Sequence, residues 1–193
     1  MKLLPNGLLL GIAALFLLAG CSGAPPEKPP DSPPATSIPA PTPRGLPTSP
    51  PPIPLPLDAS RYRDRPCDLF TDEQVQALGY PPIKRPGVLP GQSYCARHDE
   101  SNLDLHFSIW YRHDGTDRFA KVHRREEEWL ADDAAPIAVA GQPAAKLPGT
   151  RMCKVLIGLS ATESIEVVFG DPKVDFCDRA VRIAETVVRN VRG

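Results

Sequence analysis

The chain has 193 residues, with 22 Lys and Arg against 23 Asp and Glu, for a formal net charge of −1 at pH 7. Fifteen of its 25 prolines lie between Pro25 and Pro56, a stretch that cannot build a packed core, so one folded domain is expected, over residues 61–193. After residue 60 there are 19 Lys and Arg and 20 Asp and Glu, so no net field draws that domain to nucleic acid or anionic lipid.

Residues 1–20 divide as a secretory signal does. Lys2 supplies a short positive region, Leu8 to Leu18 an apolar one, and small residues close it. The apolar run from Gly7 to Gly20 falls short of the roughly 18 to 20 residues that a membrane span needs. Leu18-Ala19-Gly20-Cys21 resembles the bacterial lipobox, which implies a diacylglyceryl thioether on Cys21, cleavage before it, and acylation of the new amino terminus. Two or three acyl chains, at about 0.8 kcal/mol per buried methylene, hold a protein on a membrane stably where one is marginal. Ser22 stands where an aspartate would signal inner-membrane retention in a Gram-negative cell.

Residues 21–60 then read as a lipid-anchored cysteine followed by a linker. Runs such as Pro-Pro-Glu-Lys-Pro-Pro and Thr-Ser-Pro-Pro-Pro favour extended polyproline II, which over 39 residues would reach on the order of 100 Å. The same composition suits SH3-type grooves, or O-glycosylation at Thr36, Thr42 or Thr48.

In the domain, Thr71 with Gln74 forms a capping box that opens a short helix through Leu78, closed by Gly79. A strand contains Tyr94 to Arg97, and Leu103, Leu105, Phe107, Ile109 and Tyr111 alternate with polar residues as a half-buried strand. A helix is expected from Asp117 to Leu130, with Phe119, Val122, Glu126 and Trp129 on one stripe and acid-base spacing at Asp117/Lys121 and Arg124/Glu128. Strands follow at 143–147, 152–159 and 164–169. The last helix runs from Lys173 to Val191, capped by Asp171 with Pro172 in its first turn. Cys177, Val181, Ala184, Val188 and Val191 fall on its inner face. Strands punctuated and closed by helices, with no βαβ repeat, predict an α+β fold: a single two-layer domain with a mainly antiparallel sheet packed against helices.

Cys67, Cys95, Cys153 and Cys177 remain once Cys21 is given to lipid, and an even number in an exported chain reads as two disulfides. Of the three pairings, Cys67 with Cys95 and Cys153 with Cys177 is favoured, because each links neighbouring elements within one half of the domain. Zinc is the rival, and no Cys-x-x-Cys pair supports it.

Chemistry is harder to find. Asp104, His106 and Ser108 are the side-chain types of a hydrolase triad, but neighbours two apart on one strand face stand nearly 7 Å apart, about twice hydrogen-bond reach, so a solvated polar face is expected instead. His98, His106, His113 and His123 lack metal-site spacing, and Arg124 to Glu128 reads as a solvated helix face. Trp110 falls on the polar side of its strand, so either the Asp117 to Leu130 helix covers it or it floors a ligand groove with His106 and Arg112.

The order Pro66-Cys67-Asp68-Leu69-Phe70-Thr71, Gln74, Leu78-Gly79, Cys95, His106-Phe107-Ser108-Ile109-Trp110-Tyr111-Arg112, Ala140-Gly141-Gln142-Pro143-Ala144, Cys153 and Cys177 resembles an actinobacterial family, the mycobacterial LprB-like lipoproteins, classified as a domain of unknown function. The resemblance spans residues 64–191 and implies an envelope location and two disulfides, with no activity or cofactor. Ala96-Arg97-His98 follows Cys95 where the resemblance implies an aromatic. The expected function is a lipid-anchored, extracytoplasmic, non-catalytic binding module, whose partners are the membrane and an envelope protein, lipid or glycan. A carrier for an envelope lipid or glycan comes next, and a hydrolase third.

Overall fold

The computed structural model describes residues 45–80, 84–99, 102–127, 133–171 and 175–193; the side chains at 98, 99 and 102–106 are outside the description. Among these residues, seven strands form one antiparallel sheet: β1 (Arg85–Leu89), β2 (Gln92–Asp99), β3 (Asn102–Arg112), β4 (Ala135–Val139), β5 (Gln142–Pro148), β6 (Cys153–Gly158) and β7 (Ser164–Gly170). Their order is β1-β2-β3-β7-β6-β5-β4, two meanders joined through β7 in the middle. Three helices accompany them: α1 (Asp72–Ala77), α2 (Arg118–His123) and α3 (Phe176–Arg192). The fold is therefore α+β.

Alternation along the strands gives the sheet two faces. One carries Phe107, Ile109, Tyr111, Val155, Ile157, Ile165, Val167 and Phe169, all nearly free of solvent, under α1 and α3. From α3 come Ala180, Ile183, Ala184, Val187, Val188 and Val191, a stripe at helical spacing. Each fully buried Val or Ile there contributes roughly 1.5 to 3 kcal/mol. The disulfides tie this layer together: Cys67, in the 3-10 turn Pro66–Leu69, bonds Cys95 of β2, and Cys177 of α3 bonds Cys153 of β6. Each loop closure restricts the unfolded chain by about 3.5 kcal/mol in the entropy model.

Local signals explain the helix ends. Both hydrogen bonds of the Thr71/Gln74 capping box form, and Gly79 takes a positive φ of 82° just past α1. The expected helix to Leu130 stops at His123, with Arg125 in the left-handed region and Arg124 bonded to Glu126. Three consecutive glutamates after it would crowd negative charge onto a helix C-terminus, where the dipole disfavours it. Glu128, Trp129 and Leu130 lie outside the described residues. Asp117 serves as the N-cap of α2, accepting from the Ala120 N–H. The cap of α3 is Asp175 and not Asp171, whose carboxylate instead receives the Tyr80 hydroxyl. Pro172 and Lys173 are outside the described residues.

Two strands went unforeseen, β1 and β4, and they are the edges of the sheet. Each leads into a two-residue turn, Pro90-Gly91 or Ala140-Gly141, so Leu89/Gln92 and Val139/Gln142 are the hydrogen-bonded closing pairs. Counting back, Pro86 and Pro136 both fall at positions whose missing N–H would point away from the sheet.

The stretch 45–60, read from sequence as the end of the linker, packs on the domain. Leu46 joins Phe119, Val122, Ala134, Ala145, Leu147 and Leu156 in a second apolar cluster on the face opposite α3. The chain then passes the end of β6, where the Leu57 N–H donates to the Leu159 carbonyl, and buries Ala59 in the main core. Residues 45–57 thus form a strap. Its hold comes from apolar residues spaced among the prolines, which composition alone does not separate from a free spacer.

Candidate functional site

The face opposite α3 carries the polar chemistry. Strand register aligns Gly87, Tyr94, Trp110, Glu166, Leu156, Ala145 and Pro136 in one row across all seven strands. The Leu156 and Ala145 side of this face lies under α2 and the strap. Tyr94 and Trp110, on the other side, are half-buried.

Trp110 is half-buried and lies outside the apolar cluster that α2 joins. Its indole stacks on Tyr94, with ring centroids 4.4 Å apart and planes 27° apart, and the Arg112 guanidinium sits 5.1 Å from the indole centroid. Its Nε1–H donates to the Ser108 hydroxyl at 3.0 Å. Ser108 is buried, which corrects the expectation of a solvated polar strand face at that position. Aromatic stacking adds about 0.5 to 1.5 kcal/mol beyond burial and fixes both rings.

Glu166 stands next in the row. It is 3 % exposed, and one of its oxygens lies 3.3 Å from both the Arg112 and the Arg118 guanidinium, the other 3.7 Å from the Lys154 ammonium. Gln92 also receives Arg112. Burial, and then the neighbouring Arg118 charge, pull Arg112 below its ordinary pKa. A buried carboxylate held by three cations is the arrangement that low dielectric requires, since an unpaired charge there would be costly. The site thus joins a rigid aromatic pair to a charged cluster at its edge.

Of the residues foreseen for a groove, Trp110 and Arg112 come together here. His106 stands on β3 opposite Gly170, four pairs along from Trp110, and its side chain is outside the description. Asp104 and His98 are likewise outside it. Sequence reading missed Tyr94, Glu166, Lys154 and Arg118. A signal for Glu166 was present, since it is the lone charge in the apolar run Ser164-Ile165-Glu166-Val167-Val168-Phe169.

The other histidines have separate roles. His113 packs its ring on Tyr111, centroids 5.0 Å apart, and its backbone N–H donates to the Gly91 carbonyl. His123 is fully buried, its Nδ1 3.1 Å from the Pro47 carbonyl of the strap. Among the described residues no three His, Cys, Asp or Glu side chains meet in a way that could hold a metal ion. Arg97, which follows Ala96, is buried and donates to the Phe70 carbonyl and the Asp72 carboxylate. Lys84 and Arg97 hold that carboxylate below the usual range.

Surface clefts flank the strap. One of about 350 Å³ lies between Pro50 to Pro52 and Phe119, and one of about 440 Å³ between Pro51, Pro52, Pro54 and the β4–β5 hairpin. A third, of about 330 Å³, is formed by the 148–152 turn with Leu147 and Lys154. No described helix is long and apolar enough to cross a membrane.

A family model described as a protein of unknown function, DUF3558, matches residues 16–190. No curated protein and no solved structure matches the chain.

Proposed function

The chain belongs to the DUF3558 family of proteins of unknown function, and we propose that it is an exported lipoprotein, cut before Cys21 and lipid-anchored there, acting as a non-catalytic binding module on the extracytoplasmic face of the membrane. Within the family we read it as one of the mycobacterial LprB-like lipoproteins of actinobacteria. The lipobox residues and the disulfides support this location, because disulfides persist in oxidising compartments. The observation that carries the binding role is the row of Tyr94, Trp110 and Glu166. Its aromatic pair is locked in place and half-exposed, and its charged edge is pre-formed, the usual ingredients of a recognition surface.

The test is crosslinking in intact cells from a photoreactive residue at position 92, beside the row, against a control at Arg182 on the outer side of α3. Adducts specific to position 92 and lost with Trp110→Ala support the reading; identical adducts from both positions sink it. For the anchor, Cys21→Ala should abolish membrane partitioning and change the mature mass.

The cleft of about 440 Å³ beside the β4–β5 hairpin favours a second reading, a carrier for an envelope lipid or glycan. A hydrolase is the weakest reading, because the Ser108 hydroxyl is buried and engaged by Trp110.

A further inference from the structure

Three features of the strap meet at one residue. The strap covers an apolar cluster that would otherwise face water: Phe119, Val122 and Leu156 beneath Leu46. Among the described residues its polar contacts include the Gln142 amide on the Leu55 carbonyl (2.8 Å), the Leu57 N–H on Leu159, and His123 on the Pro47 carbonyl. And of those contacts only His123 bears a group that changes charge near neutral pH.

We propose that His123 is an acid-sensitive clasp: its neutral imidazole holds the strap closed, and its protonation releases residues 45–53 and uncovers the Phe119, Val122 and Leu156 surface. The geometry supplies the reason. With Nδ1–H donating to Pro47, the neutral ring leaves Nε2 as an acceptor, and among the described residues the buried Nε2 has no hydrogen-bond partner. A neutral ring tolerates this at modest cost. An imidazolium must bury both a charge and an unmet N–H, which costs several times more.

Among the described residues the surroundings offer little compensation. On its own helix the ring is met edge-on by Phe119, 4.7 Å between centroids, and by the charge of Asp117, whose carboxylate already accepts from Ala120. Lys121 on the same helix is cationic, and Arg124 is engaged by Glu126. Between Gly45 and Leu57 the strap has no ionisable side chain. The strands beneath present Ala145, Leu147 and Leu156, and beyond the helix Arg125 reaches Gly45, adding positive charge. Burial accordingly pushes the His123 pKa below its ordinary 6.5. A histidine with a lowered folded pKa stabilises the closed strap fully above about pH 6.5, and that contribution is lost as pH falls through the lowered value.

NMR and hydrogen exchange on the purified full-length protein test the clasp. Cross-relaxation between the Leu46 methyls and the Phe119 ring and Val122 methyls should be present at pH 7.5 and lost at pH 5, while the amides of β6 and β7 stay protected. His123→Asn, neutral and with its side-chain amide at the position of Nδ1, should abolish the acid response. The proposal is overturned if the Leu46 contacts are equally strong at both pH values, if the asparagine variant opens as the parent does, or if β6 and β7 lose protection in step with the loss of those contacts. Should that variant not fold, the imidazole of the parent protein is titrated by NMR, and a midpoint that differs from that of strap opening overturns the clasp.

Discussion

The ring of Tyr94 fills the space that a side chain at position 87 would need. A Cβ on Gly87 would lie 2.2 Å from Tyr94 Cζ and 2.5 Å from its hydroxyl, so the edge strand is a flat bed for the ring on which Trp110 stacks. Here the glycine answers a close approach, since its backbone is not in the left-handed region.

Gly87→Ala should therefore lower stability by about 1 to 3 kcal/mol, the range for overpacking, and shift the near-ultraviolet signal of Trp110. In a Tyr94→Ala background the same substitution should cost almost nothing. Denaturant melts of the four-member cycle give the coupling; additive costs would mean that the ring does not rest on this glycine.

Glu166→Gln should destabilise by about 3 to 5 kcal/mol, because it leaves the guanidiniums of Arg112 and Arg118 and the Lys154 ammonium without their buried counter-charge. Lys154→Met should cost under about 1 kcal/mol, since Lys154 is the most exposed of the three cations. Equal costs for the two variants in urea titrations would argue that the cluster behaves as a surface network.

Ala140 sits at φ 46° in the turn between β4 and β5, a conformation that costs an L-residue roughly 1 to 2 kcal/mol. Asn tolerates it better. Ala140→Asn should raise stability by about 0.5 to 1 kcal/mol, read as a higher melting temperature in calorimetry. A lower melting temperature would mean that packing of the Ala140 methyl outweighs the backbone strain.

Tyr80 and Tyr111 are buried phenols, pushed up to about 12 chiefly by desolvation, then by Asp171 at the first and Glu163 at the second. Ionisation followed near 295 nm should show two tyrosines titrating well above the ordinary value. Their folded pKa exceeds the unfolded 10, so the stability they confer is complete below pH 10 and is lost as pH rises through about 12. Two late-titrating tyrosines that shift back to 10 in Tyr→Phe variants of other positions would contradict this assignment.

Much of the fold was legible because it rests on local signals. The Thr71/Gln74 box, the alternation along β3 and the apolar stripe of α3 each declare an element within a few residues, and the four cysteines join elements that are close in sequence. The rest depends on partners far along the chain. Pro86, Gly87 and Pro136 are poor strand residues, yet an edge strand draws its order from the neighbour it pairs with. The strap is invisible locally because its grip is provided by His123 and Gln142, 76 and 87 residues away. Trp110 was recognisable as unusual, but its companions on β2 and β7 follow only from register.

The two edge prolines bear on whether copies of the chain can join through their sheets. An open sheet edge is a template for end-to-end growth between molecules that meet at high local density. At β1 and β4 the outward donor is missing at Pro86 and at Pro136, so each border offers an interrupted ladder to a second copy. Each edge therefore disfavours strand-to-strand growth with a second copy, at both ends of the sheet.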